Sequence, residues 1–250
     1  MQTPIAFSTE LPIELATYFK NYHANNKHKY DLEWVEDFPG VLEMYDLTEP
    51  HLQWQRWQPM DSEYDTKIEE LLDFLNIEYT DFSSFIKTEY LPVGAHVDSE
   101  SGDLKNEDFY YTFEGSSHPD DGPGYSVILP ISHGDHMETA VFKHKSSGNP
   151  ALLNTIMNYF DNQIVCEEWN IHNNQFGLDY KDYNHVNMGI VDSDGRCLMD
   201  YLDVEGVLEW KENTAIAFVK NHWHTSVNFR RHGITQKDFV LVHTNSYFYM

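Results

Sequence analysis

The chain has 250 residues and a mass of 29.4 kDa, enough to bury a sizeable core in one domain. Sixteen Lys and Arg against 41 Asp and Glu leave a net charge of −25, a field that repels polyanions and argues against a nucleic-acid partner. With 41% hydrophobic and 15% aromatic residues, and charge spread along the chain, the composition excludes disorder.

The elements follow in chain order. Met1 to Ile5 carries no basic region ahead of an apolar run, and no 18-residue apolar stretch occurs, so neither an export signal nor a membrane span is expected. Ser8-Thr-Glu-Leu-Pro12 reads as a helix start, with Ile13, Ala16 and Phe19 near helical spacing. Ile68, Leu71, Leu72 and Leu75 repeat the pattern downstream of polar caps at Asp61 to Asp65. Residues 1–85 are therefore expected to be a mainly helical N-terminal support. Beyond them the apolar runs become short, β-branched and aromatic, predicting strands over 85–90, 125–131, 139–142, 185–191, 214–219 and 239–242. The polar, Gly- and Pro-containing stretch 99–124 is expected to be a lid-like loop. A helix is expected over 150–160, and Asp192-Ser-Asp-Gly195 is read as a hairpin turn. The fold class is mainly β with flanking helices, a sandwich or barrel in one domain spanning 1–250. Two cysteines, Cys166 and Cys197, cannot staple such a domain, which suits a reducing cytoplasm.

His96-Val97-Asp98 puts an imidazole and a carboxylate on one face of an extended chain, about 7 Å apart along the strand. Two such side chains can meet one metal, which then needs a third ligand. Near the C-terminus the apolar run 214–219 leads into Lys220-Asn-His-Trp-His-Thr-Ser-Val-Asn228, and a further strand follows. This arrangement resembles the Fe(II)- and 2-oxoglutarate-dependent dioxygenases. The resemblance maps His96, Asp98 and His224 onto the two-histidine, one-carboxylate triad that leaves positions for 2-oxoglutarate and O2. His224, six residues after Phe218 and followed by Ser226-Val227, fits the pattern better than His222 does. Tyr90-Leu-Pro-Val-Gly94 is similar to the family's approach to its first ligand pair. The resemblance covers residues 85–131 and 206–244.

What it implies is a double-stranded β-helix (jelly-roll or cupin-like) core over 86–250, with an insertion at about 145–205. The implied activity is hydroxylation of a C–H bond in an amino acid, a peptide side chain or a small metabolite, with release of succinate and CO2. Family members place an Arg about ten residues after the distal His to clamp the far carboxylate of 2-oxoglutarate, and none stands there. Lys237, at the entrance of the last strand and sharing a face with Phe239 and Leu241, is the leading substitute. Arg230, Arg231 and Lys143 are the others. Tyr125, Trp223 and Phe229 are candidates either for the pocket lining or for the core. His133-Gly-Asp-His136 has the composition of a small zinc site, but two histidines in a polar loop are ordinarily solvated. The missing Arg leaves two further readings open. One is a cupin-like protein that binds a metal or small ligand without oxidation, and the other is an interaction protein built on the same barrel.

Overall fold

The computed structural model describes residues 4–29, 31–34, 52–92, 98, 121–122, 124–145, 204–220 and 222–247. Among them the protein is mainly β-sheet, with two helices.

Strand β1 (Ala6–Glu10) leads through Pro12 into α1 (Ile13–Asn26), which buries Leu15, Ala16, Phe19 and His23 along one stripe. Helix α2 (Ser62–Phe74) is capped by Asp61, whose carboxylate accepts the Tyr64 N–H at 2.7 Å, and it buries Tyr64, Ile68, Leu71 and Leu72. It ends where Asn76 takes a left-handed conformation (φ 54°) and the Ile77 N–H closes onto the Leu72 carbonyl. Strands β2 (Asp31–Trp34), β3 (Leu52–Trp57) and β4 (Asp81–Glu89) complete the first part. The expected mainly helical support is thus not helix alone, because β1, β2 and β3 join the main sheet. The strand expected at 85–90 begins four residues earlier.

Then come β5 (Asp121–Gly122), β6 (Tyr125–Pro130), β7 (Glu138–Lys145), β8 (Val204–Glu209), β9 (Thr214–Val219), β10 (His222–Ser226) and β11 (Lys237–Tyr247). The main sheet runs β1-β9-β6-β11-β4-β3-β2, with β5 pairing the end of β11, and the small sheet runs β10-β7-β8. All these pairings are antiparallel. One face of the main sheet, through Val127, Leu129, Ala217, Val240 and Val242, packs on both helices. The other, through Ile128, Ile216, Phe218 and Phe239, packs on Val141 and Leu208 of the small sheet. Strand β6 is buried along its whole length because it is covered on both faces. His96, both cysteines, the expected helix at 150–160, the strand at 185–191, the 192–195 turn and most of the 99–124 loop lie outside the described residues.

Gly124 enters β6 where the backbone of Thr244 passes so close that a Cβ would stand 1.6 Å from its carbonyl oxygen. The Tyr125 N–H donates to Thr244 Oγ1 at 2.8 Å at the same crossing. Gly124→Ala is expected to destabilise the fold by about 3 kcal/mol through forced separation of β6 from β11. Denaturant unfolding measures it, and an unchanged midpoint contradicts the close approach.

Candidate functional site

Strand β10 carries His224 on the side that faces the main sheet, buried against Phe218 of β9 with ring centroids 4.4 Å apart. The backbone N–H of Asp98 donates to the Lys220 carbonyl just past β9, which brings its carboxylate to the same place. His224 Nε2 and Asp98 Oδ2 stand 3.3 Å apart. His224 Nδ1 lies 3.0 Å from the His222 carbonyl oxygen, which can only accept, so Nδ1 carries the proton. In the neutral ring Nε2 then presents a lone pair to a carboxylate oxygen. Two acceptors at that distance are reconciled by a shared proton or a shared cation. Ser126 of β6 donates to the same Asp98 oxygen at 2.7 Å, and His243 of β11 lies 3.1 Å from Ser126 Oγ.

A cavity of about 70 Å³ opens from this pair and is lined also by Ser226, Lys237, Trp210 and Phe239. Lys237 is wholly buried. Its Nζ donates to Ser226 Oγ at 2.9 Å and sits 3.6 Å from the centre of the Trp210 ring, with Phe229 at 5.4 Å. Burial pulls its pKa down from 10.5 to about 8, against the opposing pull of Glu89 and Glu138. Lys87 and Glu89 of β4 line the cavity as a 3.0 Å ion pair with both side chains largely buried.

The expected residues divide accordingly. Asp98, His224 and Lys237 meet in one cavity, while His96 lies outside the described residues. The other expected positions lie away from this cavity. Lys143 is exposed on β7, because an irregularity of register between Val141 and Phe142 breaks the alternation that would have turned it inward. Arg230 and Arg231 sit in the short 3-10 turn Phe229–His232, where Arg230 donates to the Thr235 carbonyl and Arg231 is exposed, so neither lines the cavity. Tyr125 faces the helix side of the main sheet, where it packs edge-on to Phe7 and donates to the Pro4 carbonyl. His222 is held by β7, its Nδ1 2.8 Å from the Phe142 carbonyl. His133 and His136 line an open surface bowl with Asp135, and His136 stacks on His232 at 3.7 Å. Among the described residues no group of three or more His, Cys, Asp or Glu is arranged to hold a metal. Ser126, His243, Lys87 and Glu89 were not singled out in the sequence, although strand alternation puts Ser126 on the face of Ile128, and His243 on that of Leu241.

No protein-family model matches the chain, and no curated protein does. Among solved structures it is similar to a prolyl-4-hydroxylase of Pseudomonas putida, at 10% identity over 97% of this chain and 92% of that one, with a TM-score of 0.44. It is similar also to an oxidoreductase of the 2OG-Fe(II) oxygenase family from Burkholderia pseudomallei, at 13% identity over 96% and 84%, TM-score 0.41. A third is HygX of Streptomyces hygroscopicus, a structure with nickel and 2-oxoglutarate bound, at 9% identity over 97% and 83%, TM-score 0.43. No helix among the described residues is long and apolar enough to cross a membrane.

The buried ammonium of Lys237 yields a test of the cavity's electrostatics. The folded chain releases this proton near pH 8 and the unfolded chain near 10.5, so between them the unfolded state binds more protons and this group's contribution to stability rises with pH. Lys237→Met removes the buried charge with little change in volume. The variant is expected to be at least as stable as wild type at pH 7, with the difference shrinking as pH rises from 8 to 10.5. Thermal unfolding across that range checks it, and a parallel pH dependence of the two proteins contradicts the burial of a charged Lys237.

Proposed function

We propose that the protein is an Fe(II)- and 2-oxoglutarate-dependent oxygenase that oxidises a C–H bond of a small molecule or peptide side chain. The observation that carries this reading is that the His224–Asp98 pair and the Lys237 ammonium line one cavity. A metal-binding pair and a fixed cation lining one small cavity suit a ligand with a chelating head and a second carboxylate, which is the form of 2-oxoglutarate. The passage of successive strands between two sheets supports the double-stranded β-helix: β6 main, β7 and β8 small, β9 main, β10 small, β11 main.

In this reading His96, Asp98 and His224 hold the metal. Mixed imidazole and carboxylate donors suit iron(II), and the lone pair of His224 directed at Asp98 fits a shared cation. When bound, iron(II) supplies the reduction of O2 that couples decarboxylation of 2-oxoglutarate to oxidation of the substrate. The chain's own contributions are position and charge. The His222 carbonyl holds the Nδ1–H of His224 and so orients the ring with Nε2 toward Asp98. Lys237, with the Ser226 hydroxyl beside it, takes the far carboxylate as a point charge in place of a bidentate Arg. Trp210 and Phe229 fix the ammonium and keep water from it, which strengthens the ion pair. Because an incoming carboxylate favours the protonated amine, binding takes up a proton once free Lys237 has lost its own. Affinity for 2-oxoglutarate is therefore expected to fall as pH rises through about 8.

Anaerobic titration with Fe(II) and 2-oxoglutarate tests the reading. The expected result is a visible charge-transfer band that requires both additions, disappears in His224→Ala, and needs much more 2-oxoglutarate in Lys237→Met. Iron binding without the band in the wild-type protein contradicts it, and favours a metal-binding barrel that lacks the cosubstrate.

A further inference from the structure

Ser126 and His243 play no part in the ligand set or the carboxylate clamp. They are cross-strand partners in the pairing of β6 with β11, on the sheet face that meets Asp98. A serine hydroxyl has one proton to give. A carboxylate oxygen accepts only, so at 2.7 Å that proton is directed at Asp98 Oδ2. The Ser126 oxygen is then the acceptor in its 3.1 Å contact with His243 Nδ1, which places the imidazole proton on Nδ1. His243 Nδ1 is itself 3.8 Å from Asp98 Oδ2, beyond hydrogen-bond reach, and so acts on the carboxylate through the hydroxyl. Donation runs one way, from imidazole N–H to hydroxyl and from hydroxyl O–H to carboxylate. Both ends are held: Ser126 is wholly buried, and the His243 ring lies edge-on to Phe85 with centroids 6.4 Å apart.

We propose that Ser126 and His243 are positioning residues for Asp98, a two-member relay that holds Oδ2 opposite His224 Nε2 and so sets the strength with which the pair binds a divalent cation. The inference rests on the reading of Asp98 as a metal ligand. The relay is a property of strand register: Ser126 and His243 stand directly opposite one another, so neither depends on a loop for its place. Outer hydrogen-bond partners of this kind carry about 10–100-fold in metal affinity.

The test is Mn(II) affinity of the full chain, measured by calorimetry on wild type and four variants whose folding is verified by circular dichroism. Ser126→Ala and His243→Leu are expected to weaken Mn(II) binding about 10–100-fold. Ser126→Thr keeps the hydroxyl and His243→Asn keeps an N–H donor, and both are expected to stay within a few-fold of wild type. Should Ser126→Ala not fold, the Leu and Asn variants at position 243 decide alone. The inference is overturned if the removal variants bind Mn(II) as wild type does, or if the Thr and Asn variants lose as much as the Ala and Leu ones. A wild-type protein that binds no Mn(II) overturns the metal-site reading itself, before any variant is compared.

Discussion

The antiparallel pairing of β11 with β6 on one side and β4 on the other sets the place of the charged groups in the cavity. The register that opposes Phe239 to Pro130 also opposes His243 to Ser126, while on the other edge Lys237 opposes Glu89 and Phe239 opposes Lys87. With a period of two, Lys237, Phe239, Leu241 and His243 share one face, so a single strand delivers the buried ammonium near one end and the imidazole behind Asp98 towards the other. A slip of one residue would send all four to the helix side and bring Asp238, Val240 and Val242 into the cavity. The tight crossing of Gly124 against Thr244 opposes such a slip, because it fixes where β6 begins relative to β11.

Lys237 is the feature whose presence costs the fold most plainly. A wholly buried ammonium is expensive unless it is surrounded by compensating groups, and here the compensation comes from an aromatic face, one hydroxyl and the more distant Glu89 and Glu138. That set is enough to keep it charged at neutral pH and too weak to restore its ordinary pKa. An anionic group entering the cavity would complete the compensation, while the −25 net charge of the whole chain opposes its approach at long range. Attraction is therefore confined to short distance.

Much of this was legible in the sequence, and the rest failed for identifiable reasons. Both helices followed from apolar spacing, and Asp61 from its place ahead of the Tyr64 to Leu72 stripe. The strand at 214–219 matched the structure to the residue. Strand β3 was missed because its alternation, Leu52-Gln-Trp-Gln55, breaks at Arg56, and two tryptophans three residues apart among polar neighbours read as neither a helix stripe nor a β-branched run. Lys237 was placed correctly by alternation with Phe239 and Leu241, since β11 pairs without interruption with β4. Lys143, named from the family resemblance alone, is exposed on β7, which carries an irregularity of register that no local signal announces. Ser126 and His243 were invisible as a pair: their contact joins residues 117 positions apart, and only strand pairing reveals it.

The proposed reading has the His224–Asp98 pair and Lys237 gripping opposite ends of one ligand. It is tested most directly by comparing two keto acids that share the chelating head and differ in the far carboxylate, 2-oxoglutarate and 2-oxobutyrate, on the Mn(II)-loaded protein. The account predicts that wild type binds 2-oxoglutarate at least about tenfold more tightly, as a charge-assisted contact requires, and that Lys237→Met brings the two affinities together by weakening 2-oxoglutarate alone. An equal preference in wild type and Lys237→Met would contradict it.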